Sequence, residues 1–318
     1  MNKSFKIICS IIITIVLLFV GFELFLTGSN KKIFTEISFK SHILLLLFVI
    51  PIFIMGGIEL KLLFKKVSNI KLDLYDVLTL PFVISLWGII IPLQGSVLYT
   101  ISYIHSKYKK EISEGIKVYI LSFSIGLSLT GLIGVLYCFF GGSHYSFLFL
   151  LISIVLFINP LFLVTLNYIL KKNVIKLKSG IIKKVIMKFK FDMKFDMKFI
   201  INILLIKMTN ALLTAIWSLW ISQVLKLNFT FSQLVLISFL MNLVLLVKIT
   251  PGNLGVNQFV SGGIALLVGG TMRDGFLLST FQVLYTIIMA LLIGTTFSIF
   301  NFQYFNFRIL KQLFQIHK

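Results

Sequence analysis

Proline followed three or four residues later by glycine breaks an apolar helix, and this chain carries that pattern twice. Residues 89–97 read IIIPLQGSV and residues 248–256 read KITPGNLGV. Proline removes a helical hydrogen bond, and glycine admits backbone conformations that other residues avoid. A break of this kind frees backbone amides that can bind phosphate oxygens. Pro92 and Gly95 mark the first break; Pro251, Gly252, Asn253 and Gly255 mark the second. Gln94, Asn253, Asn257 and Gln258 can supplement the amides with side-chain contacts. Lys248 either pairs with a lipid phosphate or snorkels to an interface. These residues point to substrate binding rather than to catalysis. His105 and His144 fall in expected loops with no metal-ligand spacing around them. Cys9 and Cys138 fall in apolar segments, where packing is the simpler reading. No cofactor, metal or catalytic set is expected.

The elements that must position these breaks are apolar almost throughout. Hydrophobic residues make up 58% of the 318, charged residues 13%, and the mean hydropathy is +1.03. A soluble domain of this size needs a polar coat that the composition does not supply. Apolar runs of about 20 residues predict an all-α polytopic membrane protein. The runs fall near 7–27, 42–60, 75–91, 93–104, 116–140, 146–169, 199–224, 231–249, 255–270 and 276–300. The first is too long for a signal-peptide core and lacks a cleavage site, so it reads as a retained helix. The expectation is about six full spanning helices plus two broken-helix or re-entrant hairpins, in a single transmembrane domain over 1–318. The length of 231–249 would let that segment span almost fully by itself.

The net charge of +20 is placed in loops, where the positive-inside rule and anionic lipids account for it without nucleic acid. Loops 61–73 and 105–117 carry four Lys each and loop 171–198 carries ten; all three are expected in the cytoplasm. The loop at 141–145 has none and is expected outside, while 28–41, with three, fits the outside poorly. Both termini are then cytoplasmic. The hairpin 75–104 opens to the cytoplasm and 231–270 opens outward. That pairing predicts an inverted repeat, with halves near 42–140 and 199–300 joined by the basic loop 171–198. Within that loop, FDMK repeats in tandem. It forms either a basic amphipathic helix on the inner leaflet or an extension of the helix at 199.

The two broken stretches resemble the signature regions of the lysylphosphatidylglycerol synthase transmembrane family, the flippase-like membrane proteins. The first family region reads roughly Asn, then Pro-x-x-x-Gly-Glu; here it is IIIPLQGSVLYTISYIHSKYKKEI at 89–112. The second reads roughly Pro-Gly-Gly-Leu-Gly-Val-x-Glu; here it is TPGNLGVNQFVSGGIALLVGGTMRDGFLLSTF at 250–281. Gln258 and Ser96 stand at the two family Glu positions, and Gln282 stands near a common family Arg. A pair of amides would thus replace a charged pair, at lower cost of burial. The resemblance implies lipid translocation in the cytoplasmic membrane of a bacterium, with phospholipids or lipid-linked glycans as partners. It adds Gln282 to the candidate binding residues. The length leaves no room for an aminoacyl-transferase domain, so lipid aminoacylation is not expected.

Two other readings compete. A non-catalytic subunit would assemble with a lipid or glycan synthase, or with a second copy. A polyprenyl-phosphate-dependent glycosyltransferase would need external acids, of which the expected loops hold only Glu36 and Asp274. Glu59 and Asp274 are expected at helix ends in water. Gly262 and Gly263 are expected to serve close packing. Trp87, Trp217 and Trp220 are expected at interfaces or in packing.

Overall fold

The computed structural model describes residues 37–91, 95–140, parts of 150–158, 197–246 and 251–301. The segment at 7–27, most of 146–169, the loops at 141–145 and 171–196, the tail, and Pro92, Gln94 and Lys248 lie outside them. Every regular element among the described residues is helical. The order is α1 (Phe39–Ser68), α2 (Leu74–Ile90), α3 (Gly95–Tyr108), α4 (Ile112–Phe140), α5 (Met197–Val224), α6 (Phe231–Leu240), α7 (Val256–Leu267), α8 (Met272–Met289) and α9 (Thr295–Asn301). A 3-10 turn, Met241–Leu246, extends α6, and a second, Pro251–Asn253, precedes α7. A π turn at Ala290–Gly294 joins α8 to α9.

Four stretches are long and apolar enough to cross a membrane: Phe39–Ser68, Ile112–Phe139, Lys198–Val224 and Met272–Ser298. Their outward side chains are themselves apolar. Leu47, Leu205 and Leu292 are each more than half exposed, a surface that suits lipid and not water. The chain is a multi-pass helical membrane protein. The shorter helices α2, α3, α6 and α7 sit between the long ones, as the Pro and Gly signals require. The segment 231–249 does not span as one helix, because α6 stops after ten residues and tightens into the 3-10 turn.

Local chemistry sets the ends. Ser38, Asp73, Thr230 and Thr271 cap α1, α2, α6 and α8, each accepting from the backbone N–H three residues on. Asn69 ends α1 in the left-handed conformation. The long helices α1 and α5 pack on each other. Leu45 and Val49 in the first half of α1 join α5, α6, α7 and α8 in one core. Leu63 and Phe64 near its end join α2, α3, α4 and the start of α5 in another. Each short-helix pair therefore has its own apolar support.

The open end of the α2–α3 hairpin is pinned by charge. Asp76 is fully buried, and its carboxylate accepts from Tyr103 and Lys107, each at 2.6 Å, and from Tyr108. Burial works against the Lys107 charge, but the hydrogen bond and charge of Asp76, with Asp73, outweigh it and raise the pKa. A raised lysine pKa contributes stability that is fully present below the ordinary lysine value and is lost only as pH climbs through the raised one. The pin is therefore intact at neutral pH. Asp76→Ala is expected to lower stability by about 2–3 kcal/mol, because it removes the acceptor shared by the hydroxyls of the buried Tyr103 and the partly buried Tyr108 and takes from Lys107 the nearer of its two carboxylates. Thermal unfolding in detergent measures it. His105, expected in a loop, instead ends α3, with Nδ1 2.6 Å from the Lys110 carbonyl oxygen.

Candidate functional site

The helix breaks converge. A cavity of about 400 Å³ is lined by Gly88, Ile89, Gly95 and Ser96 from the first break and by Val244, Gly252, Asn253 and Asn257 from the second. Ser279, Gln282 and Thr286 of α8 and Thr214 and Trp217 of α5 close its other walls, with Ser85 of α2. The volume lies within the ~300–1,000 Å³ usual for small-ligand sites.

Backbone sterics explain why these positions are what they are. A Cβ on Gly95 would stand 2.3 Å from the Trp87 carbonyl oxygen, so only glycine lets α3 start so close under the end of α2. At the second break the chain runs through left-handed conformations, with φ of 58° at Gly252, 55° at Asn253 and 82° at Gly255. Asn tolerates that region because its short amide bonds locally. Here Asn253 Nδ2 donates to the Val244 carbonyl oxygen at 3.2 Å and ties the two 3-10 turns together.

The expected binding residues divide. Gly95, Gly252, Asn253, Asn257 and Gln282 line the cavity. Gly255 and Gln258 are not among its lining residues; Gly255 N–H donates to Gln258 Oε1 at 2.7 Å, which starts α7. Gln258 is thus a helix-start residue. Pro251 lies in the turn before α7, and Pro92, Gln94 and Lys248 fall outside the described residues. The two amides do not substitute for a charged pair with each other: Gln282 Nε2 donates to Ser218 Oγ at 2.7 Å. Trp217 packs as expected, its Nε1 donating to the Leu45 carbonyl oxygen, but it also lines the cavity. Gly262 does serve close packing, since a Cβ there would be 3.0 Å from Met272; Gly263 faces open space.

Ser85, Thr214, Ser279 and Thr286 join the site from positions with no break or motif in the sequence. Ser279, Gln282, Val283 and Thr286 follow the i, i+3, i+4, i+7 spacing of one helix face. A polar stripe inside an otherwise apolar helix is the signal that marks them.

An ion pair also lies away from any helix end. Glu59 of α1 and Lys207 of α5 are 2.8 Å apart, with side chains 11% and 15% exposed. Ser122 of α4 donates to the same Glu59 oxygen. Gly126, one turn on, lies beside the ammonium, with its Cβ position 3.5 Å from Lys207 Nζ. Glu59 is therefore buried and paired, contrary to the expectation of a solvated helix end. Among the described residues of the long apolar helices, a charged pair sits here, whereas positions 258 and 282 hold amides. Lys207, well inside an apolar segment, was the available sequence signal. Among the described residues, no group of three His, Cys, Asp or Glu side chains is arranged to hold a metal.

No family model, no curated protein and no solved structure matches the chain.

Proposed function

We propose that the chain is a flippase-like lipid transporter, related to the lysylphosphatidylglycerol synthase transmembrane family, whose headgroup site is the cavity between the two helix breaks. The observation that carries this reading is the convergence of Gly95 and Ser96 with Gly252, Asn253 and Asn257 on one cavity, although 157 residues separate Gly95 from Gly252. Broken helices from two halves that meet at one site are how many secondary transporters build their substrate site.

An inverted repeat is supported by element order and by packing. Each half runs long helix, short helix, break, short helix, long helix. Gly115, fourth in α4, follows Gly95 by 20 residues; Gly275, fourth in α8, follows Gly255 by 20. Each lies against the short helix before it, Gly115 on Ile101 and Gly275 on Ser261. The packing pairs exchange with the halves: α1–α2 with α5–α6, α3–α4 with α7–α8, and α2–α8 with α6–α4. In this reading the hairpins open to opposite faces and their tips meet near the midplane of the cytoplasmic membrane. A headgroup passes through the polar cavity while the acyl chains stay in lipid.

Ser85→Leu and Asn257→Leu each place an apolar side chain in the cavity, one from each half. Proteoliposomes holding either variant are expected to transfer lipid between leaflets no faster than empty vesicles, with transfer present for the wild type. A leaflet-specific chemical assay reads this. Equal transfer by wild type and empty vesicles would end the proposal.

A further inference from the structure

The cavity's hydrogen-bonding inventory narrows what it can hold, and this step rests on the transport reading only for its lipid context. Two buried polar atoms in its lining have no partner: Asn253 Oδ1 and Ser279 Oγ. Asn253 is 8% exposed and Ser279 1%. A buried polar group left unpaired costs free energy, so a ligand that pairs both atoms gains by doing so. The orientation of the Asn253 amide is fixed, because its Nδ2 donates to the Val244 carbonyl oxygen; flipping it would set oxygen against oxygen. The unpaired atom is therefore an acceptor, and it needs a donor. A serine hydroxyl can both donate and accept.

Charge excludes two kinds of donor or anchor. None of the described lining residues is charged. The adjoining segments 92–94 and 247–250 carry no acid in their sequence, so an ammonium would enter without a counter-charge, which an apolar setting penalises heavily. Lys248 in the second of those segments offers a phosphate a counter-charge, yet an ionised phosphate brings only acceptors, and its oxygens would repel Asn253 Oδ1. A neutral hydroxyl satisfies both atoms. Ser85, Ser96, Asn257 and Thr286 place further polar groups around it, and Met241 and Val244 offer apolar surface to the C–H faces of a ring.

We infer that the cavity binds an uncharged polyol, the glycerol or sugar part of a headgroup, through Ser279 and Asn253. Hydroxyls on such a group donate to Asn253 Oδ1 and exchange a hydrogen bond with Ser279 Oγ. The same chemistry could arrive as a free sugar, which the experiment separates from the lipid.

The test uses the full chain in nanodiscs of phosphatidylcholine. Binding of glucosyl-diacylglycerol, phosphatidic acid, a lysyl-bearing phosphatidylglycerol and free glucose is measured by native mass spectrometry or thermal shift. Leaflet transfer of the three lipids is measured in parallel. Glucosyl-diacylglycerol is expected to bind tightest. Ser279→Ala is expected to weaken it about three- to tenfold while leaving protein stability unchanged, since that hydroxyl has no partner to lose. Asn253→Leu gives a second reading wherever it folds. Free glucose binding as tightly as the glycolipid, with the same Ser279→Ala loss, supports the polyol site and assigns a free source. Preference for phosphatidic acid or the lysyl lipid, or no effect of Ser279→Ala on glycolipid binding, overturns the inference. Polyol-selective binding without transfer of any lipid would instead leave it standing and remove the transport reading.

Discussion

Lys207→Met is expected to destabilise the detergent-solubilised protein by about 3–5 kcal/mol, the usual consequence of stripping one partner from a buried pair. The mutation leaves the Glu59 carboxylate at 11% exposure beside Ser122 without its ammonium 2.8 Å away. Glu59→Met is expected to do comparable harm by stranding the lysine. The double variant is expected to return to within about 1 kcal/mol of the wild type, because two methionines pack the gap between α1, α4 and α5 without a charge to desolvate. Denaturant unfolding of the four proteins closes the cycle. Additive losses would mean that the two groups do not feel each other. Neutral single variants would mean that both reach water.

The second large effect falls on adjacent glycines of α1. A Cβ on Gly57 would lie 1.9 Å from the Val77 carbonyl oxygen, whereas one on Gly56 meets nothing within 4 Å. Backbone cannot step aside as a side chain can, so Gly57→Ala must push α1 and α2 apart. A loss of about 3 kcal/mol is expected, at the upper end of ordinary overpacking. Gly56→Ala is expected to be neutral, or stabilising by up to about 1 kcal/mol from helix propensity. Thermal unfolding of the pair makes the comparison, since the two changes are chemically identical. Similar effects at both positions would show that α1 and α2 are not held this closely. Helix α2 packs on α1 at this contact, so Gly57→Ala is also expected to loosen the cavity wall that α2 supplies.

These two sites differ in how far the sequence announced them. Gly56 and Gly57 are indistinguishable as letters, and only the approach of α2 separates them. Glu59 reads as the polar end of an apolar run, because the run 42–60 stops beside it. Helix α1 in fact continues to Ser68, which carries Glu59 inside the bundle. Lys207 lies 148 positions away from Glu59, and nothing local to either residue names the other. Gln258 stands out at the helix break and Gln282 through the resemblance, yet one caps α7 and the other bonds Ser218 on α5.

The sequence by itself determined the solvent and the breaks. Hydropathy is summed residue by residue, and the conformational limits of Pro and Gly act within one turn, so both are written locally. The short helices flanking positions 92–95 and 251–255 follow from that alone. Tertiary packing alone decided that the two breaks share a cavity, that Ser279 and Asn253 leave unpaired polar atoms in its lining, and that Glu59 meets Lys207 inside the bundle. Those facts are relations between distant elements, created when α1 and α5 pack together and bring their hairpins to one place.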